Sequence, residues 1–121
     1  MQTTDLEVRH LPGRKRYTPL SAAIDSEVAL KLLEGRWKLV ILFQLFGGHV
    51  RRFSELHRSV DGISERVLTQ QLRQLEADGI VERIAHATVP PRVDYRLTAW
   101  GQELCPVLDA LLMWAEARPS S

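Results

Sequence analysis

The most tightly punctuated segment of this 121-residue chain runs from Ile63 to Ile80. Ser64 offers a hydroxyl where a helix needs an N-cap, and Ile63 and Leu68 take the two positions of a hydrophobic staple. At the far end Gly79 stands between Leu75 and Ile80, the arrangement of a Schellman ending. The spacing predicts a helix from Ser64 through about Asp78. At about 100° per residue, Leu68, Leu72 and Leu75 fall in one narrow arc, and Arg66, Thr69, Gln70 and Arg73 gather opposite. Such a helix requires a core beneath its leucine stripe and leaves its polar side free.

The flanking residues limit what that core can be. Upstream, Ser54 is placed to cap a short helix through about Val60, and Asp61-Gly62 makes a tight turn, so the pair reads as a helix-turn-helix. Downstream, Ile80 to Ala85 reads as a strand, and Arg92 to Leu97 alternates with Val93, Tyr95 and Leu97 on one face. The loop His86 to Pro91, stiffened by Pro90-Pro91, joins them into a hairpin. Further out, Ile24, Val28, Leu32 and Leu33 recur at helical spacing between Ser21 and Glu34, and Gly35 follows where a helix would end. Trp37 to Phe46 is apolar almost all round, which predicts a helix in the middle of the core. Thr98 is placed to cap a last helix with the stripe Leu104, Val107, Leu108, Leu111 and Ala115, bent at Pro106. This order predicts a mainly α chain with a small β-hairpin wing: an α+β winged helix-turn-helix with additional helices at both ends.

Residues 1–20 carry Arg9, Arg14, Lys15 and Arg16 without periodicity and read as a flexible basic arm ahead of a domain at 21–118. With 45% hydrophobic and 26% charged residues, the composition suits one compact domain. A single cysteine, Cys105, excludes an intrachain disulfide and points to a reducing cytosol. No apolar run is long enough to span a bilayer, and Met1 to Glu7 lacks the apolar core of a signal peptide. The expectation is a cytoplasmic, nucleoid-associated protein.

Net charge is only +1, so any argument for a polyanionic partner must rest on where the charges lie. The polar face of the helix begun by Ser64 carries no acid. Arginine pairs bidentately with guanine or phosphate, glutamine pairs with adenine, and threonine meets base edges or a thymine methyl. Ser64, Arg66, Thr69, Gln70 and Arg73 are therefore the expected base-reading residues of double-stranded DNA in the major groove. Arg52, Ser54, His86, Arg92 and Arg96 are the expected backbone contacts around the wing. Glu65 lies at the flank, where it suits the positive helix N-terminus. The rival reading keeps the fold as a protein-binding winged-helix adaptor, which should tolerate acids on that face. Catalysis has little support: His10, His49, His57 and His86 are scattered, Cys105 has no partner for a zinc site, and no glycine-rich phosphate loop exists. No catalytic residue, metal or cofactor is expected. A third reading adds a small-molecule effector in a pocket lined by Trp37, Phe43, Trp100 and Trp114.

These residues also resemble a known family. Gly35-Arg36-Trp37-Lys38, Arg52-Phe53-Ser54-Glu55-Leu56, Gly62-Ile63-Ser64, the run Leu68 to Val81, the run Val89 to Thr98 and the late Trp114 closely resemble the HxlR family of bacterial regulators, relatives of MarR. The likeness covers roughly Ile24 to Ala115. It implies a homodimeric winged-helix transcription factor on an inverted-repeat operator, with dimer contacts from the first and last helices. The apolar residues there are Ile24, Val28, Leu108, Leu111, Leu112 and Trp114. A small dimer most simply represses, by occupying a promoter. Several relatives sense oxidants through a cysteine ahead of the first helix. Here that stretch reads Ala22-Ala23-Ile24-Asp25-Ser26, and Cys105 reads as a small core residue.

Overall fold

A computed structural model describes residues 16–120, so Arg9, Arg14 and Lys15 of the basic arm lie outside the described residues. The chain divides into two compact units that part between Glu34 and Gly35. The first contains α1 (Pro19–Leu32), which starts two residues before Ser21 because Thr18 supplies the cap. The Thr18 hydroxyl accepts from the Ser21 N–H at 3.1 Å, and the Ser21 hydroxyl accepts from the Thr18 N–H at 3.0 Å. Pro19 fits the first helical position, where its missing N–H has no partner to lose. No residue of α1 is buried.

The second unit contains α2 (Lys38–Leu45), β1 (Arg51–Arg52), α3 (Phe53–Ser59), α4 (Glu65–Ala77), β2 (Val81–His86), β3 (Arg92–Leu97), α5 (Ala99–Gln102) and α6 (Leu104–Glu116). The architecture is the expected winged helix-turn-helix. Its wing is a three-stranded antiparallel sheet in the order β1-β3-β2. Ile41, Leu42 and Leu45 of α2, Leu56 of α3, and Leu68, Leu72 and Leu75 of α4 form the core with Ile80, Val81, Tyr95 and Leu97. Burial of each of the larger aliphatic side chains contributes about 1.5–3 kcal/mol.

Both ends of α4 form as their residues dictate. The Ser64 hydroxyl accepts from the Val67 N–H at 3.1 Å. At the other end the N–H groups of Gly79 and Ile80 donate to the carbonyls of Glu76 and Leu75, each at 3.0 Å. This is a Schellman ending with Gly79 at φ +77°.

Four expectations are corrected. Ser54 does not cap α3; Arg52 is the N-cap residue, its N–H donating to the Glu55 carboxylate at 2.8 Å, and Ser54 lies inside the helix. α2 is not buried all round, since Leu39 and Phe43 are exposed while Lys38, its one charged residue, is buried. The strand β1 was not expected. The last helix breaks rather than bends: Thr98 caps the short α5, and α6 starts anew at Leu104. Pro106 has no N–H to offer the Gln102 carbonyl four residues back, and Gln102 is where α5 stops.

The α5 turn is bound closely to the base of the wing. The Thr98 hydroxyl donates to the Gly79 carbonyl at 2.7 Å, and the Thr98 N–H donates to the Ile80 carbonyl at 3.0 Å. A Cβ on Gly101 would collide with the Ile80 carbonyl oxygen. Beyond α5, Leu108 is the only buried residue of α6.

Candidate nucleic-acid interface

The leucine stripe of α4 holds the helix on the core, so its opposite side is turned outward. Arg66, Gln70 and Arg73 are exposed along it and Thr69 is half-buried. The Thr69 hydroxyl donates to the Glu65 carbonyl at 2.8 Å, leaving only its lone pairs and methyl for a ligand. Ser64, exposed at the N-cap, keeps its hydroxyl proton free while its oxygen accepts from Val67.

One end of this face opens into a cleft of about 920 Å³. Thr69, Arg73 and Glu76 of α4 form one wall, and Arg52, Phe53 and Ser54 form another. The wing closes it with Arg83, Val93, Tyr95 and the stretch Thr88 to Arg92. Four arginines against one carboxylate make the cleft electropositive in a chain of almost neutral balance. Such a concavity, walled by a helix with free hydrogen-bonding groups, suits a polyanion whose backbone lies in the cleft and whose interior edges meet the helix.

The expected residues divide accordingly. Thr69, Arg73, Arg52, Ser54 and Arg92 come together in the cleft; Ser64, Arg66 and Gln70 lie on the α4 surface outside its lining. Arg96 is not brought into it. Its Nε instead donates to Glu82 across the strands at 2.9 Å. His86 is also outside the lining; its Nε2 meets the Asp94 carboxylate at 2.9 Å.

Sequence reasoning missed Arg83. The register pairs Arg83 with Tyr95, so it shares the cleft-facing side of the sheet. Strict alternation along β2 from the buried Val81 would have found it. At the wing's far end Val89 is fully exposed, and the Thr88 hydroxyl donates to the Pro90 carbonyl at 2.7 Å. None of Trp37, Phe43, Trp100 and Trp114, the aromatics weighed for an effector pocket, lines the cleft.

The described residues contain no helix long and apolar enough to cross a membrane and no cluster of metal-ligating side chains. Each unit also exposes apolar side chains on a helix of its own. Ile24 and Val28 on α1, and Leu111, Leu112 and Trp114 on α6, are all exposed, Trp114 by 75%. Leu108 departs from the expected interface set: at 3% exposed it is buried in the chain's own core and offers no surface to a partner.

Comparison with known proteins places these features in context. The profile of the HxlR-like helix-turn-helix family matches residues 32–120. The chain is 46% identical over 91 residues to the HTH-type transcriptional regulator YtcD of Bacillus subtilis, spanning 75% of this chain and 71% of that protein. It is 43% identical over 111 residues to an HTH-type transcriptional regulator of Methanothermobacter thermautotrophicus, spanning 88% and 84% of the two chains. Among solved structures, a MarR-family transcriptional regulator from Enterococcus faecalis superimposes with a TM-score of 0.72 at 42% identity, covering 82% of this chain and 87% of that one. The redox regulator HypR in its reduced form superimposes with a TM-score of 0.71 at 40% identity, covering 77% and 91%.

Proposed function

Since the chain belongs to the HxlR-like helix-turn-helix family, whose members named above are transcriptional regulators, we propose that it is a sequence-specific DNA-binding repressor that acts as a homodimer on an inverted-repeat operator. α4 enters the major groove and the wing lies on the phosphate backbone. The observation that carries this reading is the outer face of α4, with Arg66, Gln70 and Arg73 exposed, running into a cleft that sets Arg52, Arg73, Arg83 and Arg92 against the single carboxylate of Glu76. Arg66, Gln70 and Arg73 meet base edges, Ser64 and Thr69 contribute hydroxyl and methyl contacts, and Arg52, Ser54, Arg83 and Arg92 take phosphates. A protein-binding adaptor has no specific need of four arginines in one cleft.

Homodimerisation follows from the exposed apolar residues of α1 and α6, which a lone copy leaves in water. Two-fold symmetry then presents two copies of α4 about one DNA turn apart. Cys105, half-buried with its Sγ 3.9 Å from the Asp109 carboxylate, has no second cysteine to pair with in its own chain, and regulation through it forms no part of this reading.

The test is nuclease footprinting of the purified protein on the intergenic DNA beside its own gene. Protection of two half-sites with dyad symmetry is the expected result. An unprotected fragment, or protection that a random duplex competes away equally well, would remove the proposal.

A further inference from the structure

On the face of the hairpin away from Tyr95, three side chains meet that the reading above leaves unconnected. Asp94 lies on β3 two residues from Arg92, and His86, which pairs with Arg92 across the ladder, reaches Asp94 diagonally. The His86 Nε2 is 2.9 Å from the Asp94 Oδ2, and the Arg92 Nη2 is 3.4 Å from the same oxygen. A nitrogen at 2.9 Å from a carboxylate oxygen must carry its proton there, so His86 donates through Nε2. That nitrogen then has no lone pair for Arg92, whose Nη2 lies 3.4 Å away. His86 thus hydrogen-bonds to the Asp94 carboxylate and Arg92 is held to the same oxygen as an ion pair, while the contact between His86 and Arg92 is not itself a hydrogen bond.

Burial is graded across the trio. The Asp94 side chain is 10% exposed, against 37% for Arg92. The Asp94 Oδ1 and the Arg92 Nε are buried without a hydrogen-bond partner among the described residues. A buried carboxylate with an unsatisfied oxygen is costly, and a strand position beside the core would ordinarily be filled by something cheaper to desolvate. What Asp94 supplies in return is direction. Arginine has a long, rotamer-rich side chain, and ordering it at the moment of binding reduces affinity. Anchored at one edge of its guanidinium, Arg92 is ordered when the chain folds. Arg92 is also the one member of the trio that lines the cleft.

We propose that Asp94, steadied from across the hairpin by His86, is a positioning residue for DNA binding that holds the Arg92 guanidinium ready for a backbone phosphate. Asp94 does not touch the nucleic acid; it lies behind Arg92. The proposal rests on the DNA-binding reading above and deepens it.

The direction of one mutational effect separates positioning from simple charge. Asp94→Asn makes the protein more cationic by one unit, and the overall field then favours tighter DNA binding. Positioning demands the opposite. Affinity for the intergenic fragment and for a mixed-sequence duplex is measured over a salt series for the full chain, Arg92→Ala, Asp94→Asn and the double variant, with thermal melts to verify folding. The expected result is weaker binding to both duplexes by Asp94→Asn, a log–log salt slope reduced by about one, and no further loss in the double variant. Asp94→Glu, which keeps the charge, restores part of the affinity. Should Asp94→Asn fold poorly, Asp94→Ser takes its place.

An independent measurement needs no variant. The Arg92 Nε–H resonance of the free protein is protected from solvent exchange and remains as ordered when duplex is added. Asp94→Asn binding as tightly as the unmodified protein, or an Arg92 side chain that becomes ordered only with DNA, overturns the positioning role while leaving DNA binding intact. An Arg92→Ala variant with unchanged affinity and slope overturns both the positioning role and the wing's phosphate contact. No binding of either duplex by the unmodified chain defeats the parent reading and this one together.

Discussion

Gly101 is packed against the Ile80 carbonyl so closely that no β-carbon could be accommodated between them. Ile80 is the residue that ends the Schellman motif of α4 and precedes β2, and the same carbonyl accepts the Thr98 N–H at 3.0 Å. The end of the helix proposed to read DNA, the base of the wing and the α5 turn therefore meet at one backbone group.

Gly101→Ala should accordingly destabilise the fold by about 1–3 kcal/mol, the usual range for forcing an extra methyl into a packed site. The obstacle is backbone, which cannot swing aside as a side chain would. Urea denaturation measures the effect, and a midpoint equal to that of the unmodified chain would contradict the contact.

Gly79→Ala tests a different quantity. Nothing lies within 4 Å of a β-carbon built at Gly79, so the expected loss, about 1–2 kcal/mol, comes from the left-handed backbone alone. Asn, which tolerates that conformation, should lose less than Ala.

Arg73→Ala and Gln70→Ala should each weaken operator binding by about 1–3 kcal/mol and relax the preference at one base position. Competition with single-base operator variants checks this. A preference profile that survives both substitutions would remove these residues from the base-reading set.

Arg83→Ala should behave otherwise, lowering affinity for every sequence alike and reducing the salt slope by about one. If instead base preference shifts and the slope stays fixed, Arg83 is reading sequence and its place in the cleft has been misjudged.

Leu111→Glu combined with Trp114→Glu should convert the proposed homodimer to a folded monomer, because both side chains are exposed in the single chain. Leu108→Ala should act on folding instead, by about 2–5 kcal/mol, as for other buried leucines. Sedimentation and thermal melting distinguish the two, and a double-glutamate variant that still sediments as a dimer would refute the interface.

The boundaries of α4 and the pairing of the hairpin were legible because their signals are local. Ser64, Gly79, and the alternation of Val93, Tyr95 and Leu97 act within a few residues. β1 was not legible: Arg51 and Arg52 become a strand only by pairing with Tyr95 and Asp94, more than forty residues away. The role proposed for Asp94 was hidden for the same reason, since nothing in the run Arg92-Val93-Asp94 says that His86, the cross-ladder partner of Arg92, will reach it diagonally. Arg83 was recoverable, because its parity with Val81 places it on the Tyr95 side. Pro106 was recognised as a disturbance, but whether a proline bends a helix or ends one depends on what can hold the freed turn. Here Thr98, with its bonds to Gly79 and Ile80, makes α5 a separate piece.

Leu108 is the one fully buried residue of a thirteen-residue α6, and every residue from Asp109 to Ser120 is exposed in one copy of the chain. A helix of this length is only marginally stable in water without packing. If the proposed homodimer forms through α6, its order is linked by mass action to that self-association, and dilution would cost the protein helical content as well as a partner. Circular dichroism recorded across a concentration series would then trace the same curve as DNA occupancy, and the cellular amount of this regulator would itself tune how firmly it grips a promoter.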